Sequence, residues 1–259
     1  MKRYIPALVL GALVWGAAPA SAEMGPDYDM RFDLNYMPLR VSTAGPSGVC
    51  SSSLPVVQLS GEGRVFQGFI LGASYAIGDG SKLNVVGNSG GGMLDAYQCT
   101  DPKYRDLEVY VKIPFNFQDF ADADRVVGPR PKMSPFYGYF GYKNTSLRAT
   151  PPTDVTLSGP LNVEASSGVG VGLGADFAFD PVGVYGKFVY YPSMFTHNVA
   201  VDTETPDGKL YVIEWDAGIR TNFKDSPIQA RIGYHYEQHK AKNIKLKYDG
   251  VQFAASAQF

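Results

Sequence analysis

Residues 28–36 read Tyr28-Asp29-Met30-Arg31-Phe32-Asp33-Leu34-Asn35-Tyr36, and the fold turns on how this alternation is interpreted. A strand points successive side chains to opposite faces. Tyr28, Met30, Phe32, Leu34 and Tyr36 therefore share one face, and Asp29, Arg31, Asp33 and Asn35 the other. A soluble sheet alternates too, so the period alone does not decide. Two further features do. The charges lie in mid-strand, and an aromatic stands at each end of the apolar face. Tyr28 and Tyr36 are about 27 Å apart along an extended chain, or about 21 Å of height at a tilt of about 40°. That approaches the apolar band of about 25 Å, flanked by aromatic girdles, on the outside of a membrane-spanning barrel. The apolar face then meets lipid, and the charges point into the lumen.

The same pattern recurs along the chain. Val65, Phe69, Leu71, Tyr75 and Ile77 oppose Gly68, Gly72 and Ser74. Leu107, Val109, Val111, Ile113, Phe115 and Phe117 oppose Glu108, Lys112 and Asn116. The run from Val169 to Phe179 opposes Gly168, Gly170, Gly172, Gly174 and Asp176. Tyr211, Ile213, Trp215, Ala217, Ile219 and Phe223 oppose Glu214, Asp216 and Arg220. Ile228, Ala230, Ile232, Tyr234 and Tyr236 oppose Gln229, Arg231, His235 and Glu237. Turn chemistry marks Gly78-Asp79-Gly80-Ser81, Asp180-Pro181 and Lys224-Asp225-Ser226-Pro227 as short connections. Long polar connections fall near 42–63, 98–105, 146–165, 192–208 and 238–247. The fold expected is an all-β, antiparallel up-and-down transmembrane barrel. It has ten strands, both termini periplasmic, a third strand near 82–97 and an unusually long connection at 118–132. Eight strands is the alternative.

The chain has 259 residues and opens as an export signal. Lys2 and Arg3 precede an uncharged apolar run from Ile5 to Ala18, and Ala20-Ser21-Ala22 supplies a small-x-small cleavage site. That run is shorter than the about 20 residues a spanning helix needs. Residues 1–22 are thus expected to be a signal peptide and 23–259 the barrel. Without Lys2 and Arg3 the chain keeps 21 basic and 25 acidic residues, a net charge of −4. No basic surplus invites nucleic acid. Cys50 and Cys99 fall on neighbouring outer connections. In an oxidising compartment an even count points to a disulfide between them.

Phe259 is the last residue, with Val251, Phe253, Ala255 and Ala257 alternating back from it. This ending resembles the terminal signature of bacterial outer-membrane barrels, although Ala257 stands where an aromatic is common. The resemblance implies that Phe259 is an assembly signal read by the barrel-assembly machinery. Outer-membrane location follows, with the lipids of that membrane, lipopolysaccharide included, as partners.

Gly170-Val171-Gly172-Leu173-Gly174-Ala175 formally matches a dinucleotide-binding pattern. That motif needs a tight turn into a helix, and here the alternation runs on into Phe177 and Phe179. The glycines are better read as inward positions that make room for long side chains across a narrow lumen. The inward charges expected are Arg31, Lys112, Lys187, Arg220 and Arg231 with Asp33, Glu108, Asp176, Glu214 and Asp216. Balanced signs in a small barrel favour ion pairs filling the lumen over a pore lined with charge. The girdle aromatics expected are Tyr28, Tyr36, Tyr211, Phe223 and Tyr236.

His197 falls in a long connection, and His235 and His239 on the ninth strand and its outer end, with Asp202, Glu204, Asp207 and Glu237 as acidic neighbours that would allow an Asp–His pair at the outer rim. The omptin proteases, also ten-stranded, activate water with rim residues. This chain has no omptin-like pairing of Asp and His two residues apart, and no histidine–serine motif of the barrel deacylases. Asp122-x-Asp124 and Asp202-x-Glu204 lack the spacing of a calcium loop. No catalytic residue, metal site or cofactor is expected. The expectation is a non-enzymatic barrel serving envelope structure, or meeting an extracellular ligand through long loops. A narrow or gated channel for small solutes and an outer-membrane hydrolase are the alternatives.

Overall fold

The computed structural model describes residues 30–45, 48–65, 69–89, 93–115, 134–150, 161–179, 181–196, 209–221, 226–240 and 245–259. Tyr28, Phe223, His197 and the acidic pairs at 122–124 and 202–204 lie outside these residues, as does the signal segment. The strands are β1 (Met30–Gly45), β2 (Gly48–Arg64), β3 (Ile70–Asp79), β4 (Lys82–Ser89), β5 (Met93–Pro114) and β6 (Phe136–Thr150). They continue as β7 (Leu161–Phe177), β8 (Val182–Thr196), β9 (Lys209–Thr221), β10 (Ile228–Lys240) and β11 (Lys245–Gln258). Every neighbouring pair is antiparallel. β1 joins β11 and β3 joins β5, which closes the sheet on itself.

β3 and β4 are two lengths of one strand. Asp79 faces Lys103 and Lys82 faces Thr100 in an unbroken register against β5. The barrel therefore has ten strands. At the junction Gly80 N–H donates to the Pro102 carbonyl at 3.0 Å, and Asp101 takes the left-handed conformation (φ 50°).

Several expected boundaries are corrected here: 82–97 is not one strand, since Lys82–Ser89 prolongs β3 and Met93 opens β5, and the connection expected at 238–247 narrows to 241–244. Residues 42–63 are the β1–β2 hairpin, paired from Met30–Gly63 to Gly45–Gly48 rather than looped. Gly78–Ser81 is the β3–β4 junction, not a turn, and 98–105 is paired strand within β5. The cause is an inversion of polarity along the strands. In β1 the outward residues Met30, Phe32, Leu34 and Tyr36 are about half exposed, and Arg40 replaces them further out. Inside the barrel Arg31, Asp33 and Asn35 give way to Met37, Leu39 and Val41. In β5, Leu107, Val109 and Ile113 face out below Arg105 and Lys103, with Asp106 and Glu108 inside below Tyr104 and Cys99. The outer ends of the strands stand clear of lipid and pack as a water-soluble barrel does, apolar inward. A search for the membrane pattern reads them as loop.

Cys50 and Cys99 are free thiols, which corrects the expected disulfide. Asn84 of β4 bonds Ser51 and Ser52 of β2, and Leu83 of β4 pairs with Cys99. One strand thus separates the two cysteines. Two strand spacings come to about 10 Å, beyond the about 7 Å between Cα atoms that a disulfide can span.

Inward glycines seat tyrosines. A Cβ on Gly170 would lie 2.5 Å from the Tyr191 ring, one on Gly174 2.2 Å from Tyr137 and one on Gly72 2.5 Å from Tyr110. Each ring lies flat on the bare backbone of the next strand, and this close approach is what Gly there permits.

Candidate functional site

The lumen holds two tiers of charge around a cavity of about 110 Å³. In the periplasmic tier, Arg31 from β1 reaches Asp33 (3.2 Å), Glu62 of β2 (3.3 Å) and Asp176 of β7 (3.7 Å). Arg231 of β10 pairs with Asp33 at 3.1 Å, and Arg220 of β9 with Asp176 at 2.9 Å. Lys112 of β5 is in close contact with Glu62, which also accepts the Tyr110 hydroxyl at 2.7 Å.

The outer tier is built around two lysines. Lys143 of β6 lies 2.8 Å from both Glu214 of β9 and Glu237 of β10, and 3.5 Å from Asp106 of β5. Lys187 of β8 lies 2.6 Å from Glu214, 3.5 Å from Asp216 and 3.6 Å from Glu108. Tyr191 donates to Glu108 at 2.7 Å, and Tyr139 donates to the same oxygen. Thr145 donates to Asp106. The glycine seats explain these contacts, because a ring lying over Gly170 holds its hydroxyl inside the barrel.

Above the outer tier the lumen is filled. Leu39, Val41, Leu54, Val56, Leu83, Leu147 and Tyr248 are at most 1% exposed and form one apolar cluster. Tyr191, Met194, Val189 and Val212 form a second beside it, with no measurable exposure. Small barrels fill their interior with side chains. Here the filling sorts by height, with charge at membrane depth and hydrocarbon beyond it.

The structure places all ten expected lumen charges on the inward face, each in an ion pair: Arg31, Asp33, Glu108, Lys112, Asp176, Lys187, Glu214, Asp216, Arg220 and Arg231. Sequence reasoning missed Glu62, Asp106 and Lys143. Their own parity was the available signal, since each falls on the inward side of its strand. Of the girdle set, Tyr36 faces outward at 48% exposure. Tyr236 stacks on Trp215 at 5.5 Å, and Lys240 lies 5.5 Å from the Tyr211 ring. Phe259 closes the β1–β11 seam, exchanging backbone hydrogen bonds with Met30 at 2.9 and 3.0 Å.

His235 takes the inward position its alternation implies, and His239 shares that face further out along the strand. His235 and His239 lie inside the barrel at 8% and 3% exposure, because both fall on the inward face of β10, which stays paired with β11 as far as Lys240. His235 Nδ1 is 2.7 Å from Asp216 Oδ1, close enough for a His–Asp dyad. The pair faces the internal cavity, beneath the apolar layers, rather than an outward cleft. Glu214, Asp216 and His235 bring one potential ligand atom each within 4.8 Å. The Lys187 ammonium sits against both carboxylates, so these side chains form an ion-pair knot.

No protein-family model matches the chain, and no curated protein matches it. Solved structures do. The outer membrane protease OmpT from Escherichia coli aligns over 91% of this chain and 98% of its own, with 10% identity and a TM-score of 0.50. The β domain of the Bordetella autotransporter Brka covers 90% and 100%, with 12% identity and a TM-score of 0.42. Neisserial surface protein A covers 89% and 97%, with 13% identity and a TM-score of 0.35. At such identities the likeness concerns the fold. That fold is the bacterial outer-membrane β-barrel. Apolar side chains face out over a charged interior, and the protein is an integral protein of the outer membrane.

Proposed function

We propose that this protein is a non-enzymatic, non-conducting barrel that serves the envelope as structure and carries outward connections for surface contact. One observation carries the reading: fully buried apolar side chains fill the outer half of the lumen. Among the described residues, an ion moving along the axis would first cross paired charges and then a dry hydrocarbon layer. A substrate approaching the Asp216–His235 pair from outside would meet the same layer. The connections 151–160 and 197–208 leave strand ends on that side and offer the length a surface contact needs.

The intact protein in a planar bilayer should give no steady conductance. Shortening the plug with L39A/Y248A should introduce current if the hydrocarbon layer is the barrier. Steady, large conductance by the unaltered protein would instead support the channel reading.

The partners proposed are the phosphate-bearing lipids of the outer leaflet, lipopolysaccharide among them. Just beyond the apolar band, Arg40 pairs bidentately with Asp249, and Lys247 lies 5.0 Å from the Tyr236 ring. Lys240 faces Lys245 directly across β10 and β11. Like charges set opposite one another destabilise a sheet unless an anion lies between them. Replacing Lys240, Lys245 and Lys247 by Gln should lower the phosphorylated lipid retained through purification severalfold. Retention equal to the unaltered protein's would remove this assignment.

A further inference from the structure

We propose that His235 and His239 are both imidazolium ions in the folded barrel, and that these two protons hold the outer tier together beneath its apolar seal. The inference is independent of whether the barrel conducts. Eight carboxylates line the internal cavity against six Arg and Lys side chains. Arg64, at the periplasmic end of β2, is outside that lining and only partly buried. The imbalance is concentrated in the outer tier. Five carboxylates there (Asp106, Glu108, Glu214, Asp216 and Glu237) face only Lys143 and Lys187. A closed interior does not hold surplus charge without a compensating ion. Two further positive charges would bring the described lining to neutrality, and two buried histidines stand there, His235 in the lining and His239 next above it on β10.

At His235 the local geometry supports the count, and at His239 the charge follows from the count and its contact with Glu237. His235 presents Nδ1 to Asp216 at 2.7 Å and Nε2 to Glu237 at 3.6 Å. A neutral imidazole has one N–H and one lone pair, so one of these carboxylates would face a lone pair. The Glu237 contact is at ion-pair rather than hydrogen-bond distance, and only the imidazolium presents an N–H to each carboxylate. His239 Nε2 is in close contact with the other oxygen of Glu237, and its ring packs edge-on to Tyr248 in the apolar seal. His235, Glu237 and His239 thus form a ladder on the inward face of β10, rising from the cavity into the hydrocarbon. β5 turns Asp106 and Glu108 toward it, β6 Lys143 and Tyr139, β8 Lys187 and Tyr191, and β9 Glu214 and Asp216. Removing both protons leaves these strands with three uncompensated negative charges directly under the seal. Water must then enter the outer half of the lumen to solvate them.

The test uses the full chain in lipid bilayers with ¹⁵N-labelled histidine rings. At pH 7, the signals lost in H235Q and in H239Q should each report two protonated ring nitrogens. A neutral ring at either position overturns the proposal and moves the compensating proton to a carboxyl group. Urea unfolding supplies a second reading that needs no assignment. H239Q should lower the midpoint, and E237Q/H239Q, which removes one charge of each sign, should recover at least half the loss. A double variant less stable than the single would show that His239 acts by packing alone, and the proposal would fall.

Discussion

Lys143→Met should abolish the compact, heat-dependent gel form of this barrel or lower its unfolding midpoint more than any other single lumen change. The ammonium is 2% exposed and lies within 3.5 Å of three carboxylates from three strands, Asp106, Glu214 and Glu237. Met keeps the length of the side chain and removes the charge, so packing changes little. Removing one partner of a buried pair costs about 3–5 kcal/mol, because the other charge is left without compensation. Here three carboxylates lose a partner; Glu214 keeps Lys187 and Glu237 keeps the two histidines, while Asp106 has no other cation among the described ion pairs. Adding D106N to the variant should return part of the loss, since the stranded charge is then gone. If Lys143→Met alone changes stability by less than about 1 kcal/mol, the pairs are behaving as hydrated surface pairs do. The lumen would then be wet, and the closed-barrel reading would be wrong.

Gly172→Val should be nearly as damaging for a different reason. A Cβ at Gly172 would lie 2.1 Å from the Phe188 carbonyl oxygen and 2.9 Å from the Val189 Cα. Both atoms belong to the backbone of β8, just below the register shift at Val169–Val171, and neither can turn aside. Overpacking costs about 1–3 kcal/mol where side chains can adjust, and the backbone here allows less. Gly186→Ala on the neighbouring strand is the control. Its nearest atom, the Asp216 carbonyl oxygen, would be 3.6 Å away, an ordinary contact. Urea unfolding should place Gly186→Ala near the unaltered protein and Gly172→Val well below it. Equal stability of the two would refute the close approach of β7 to β8.

The glycine run around Gly172 also shows how far the chain alone could be interpreted. The unbroken alternation from Val169 to Phe179 excluded a nucleotide loop and put the glycines inside. Which rings would occupy those seats was not legible. Tyr191 and Tyr137 come from β8 and β6, and only sheet register sets them over Gly170 and Gly174.

What the sequence determined was parity. A strand has two faces, so once Met30, Phe32, Leu34 and Tyr36 were placed in lipid, Arg31 and Asp33 had to face inward. The same step placed Lys112, Asp176, Lys187 and Arg220. Parity does not give height along the barrel axis. Met37, Leu39 and Val41 share the face of Arg31 and Asp33 yet form an apolar seal, because the strand has left the membrane and water now lies outside it. That change of surroundings erased the membrane pattern in 42–55 and 98–105 and left His239, at the outer end of its strand, inside an apolar wall. Which carboxylate meets which cation was likewise decided only by closure. Lys143 and Glu237 are 94 residues apart in the chain and 2.8 Å apart in the lumen. Strand tilt and register set such cross-lumen distances, and both are properties of the closed sheet as a whole.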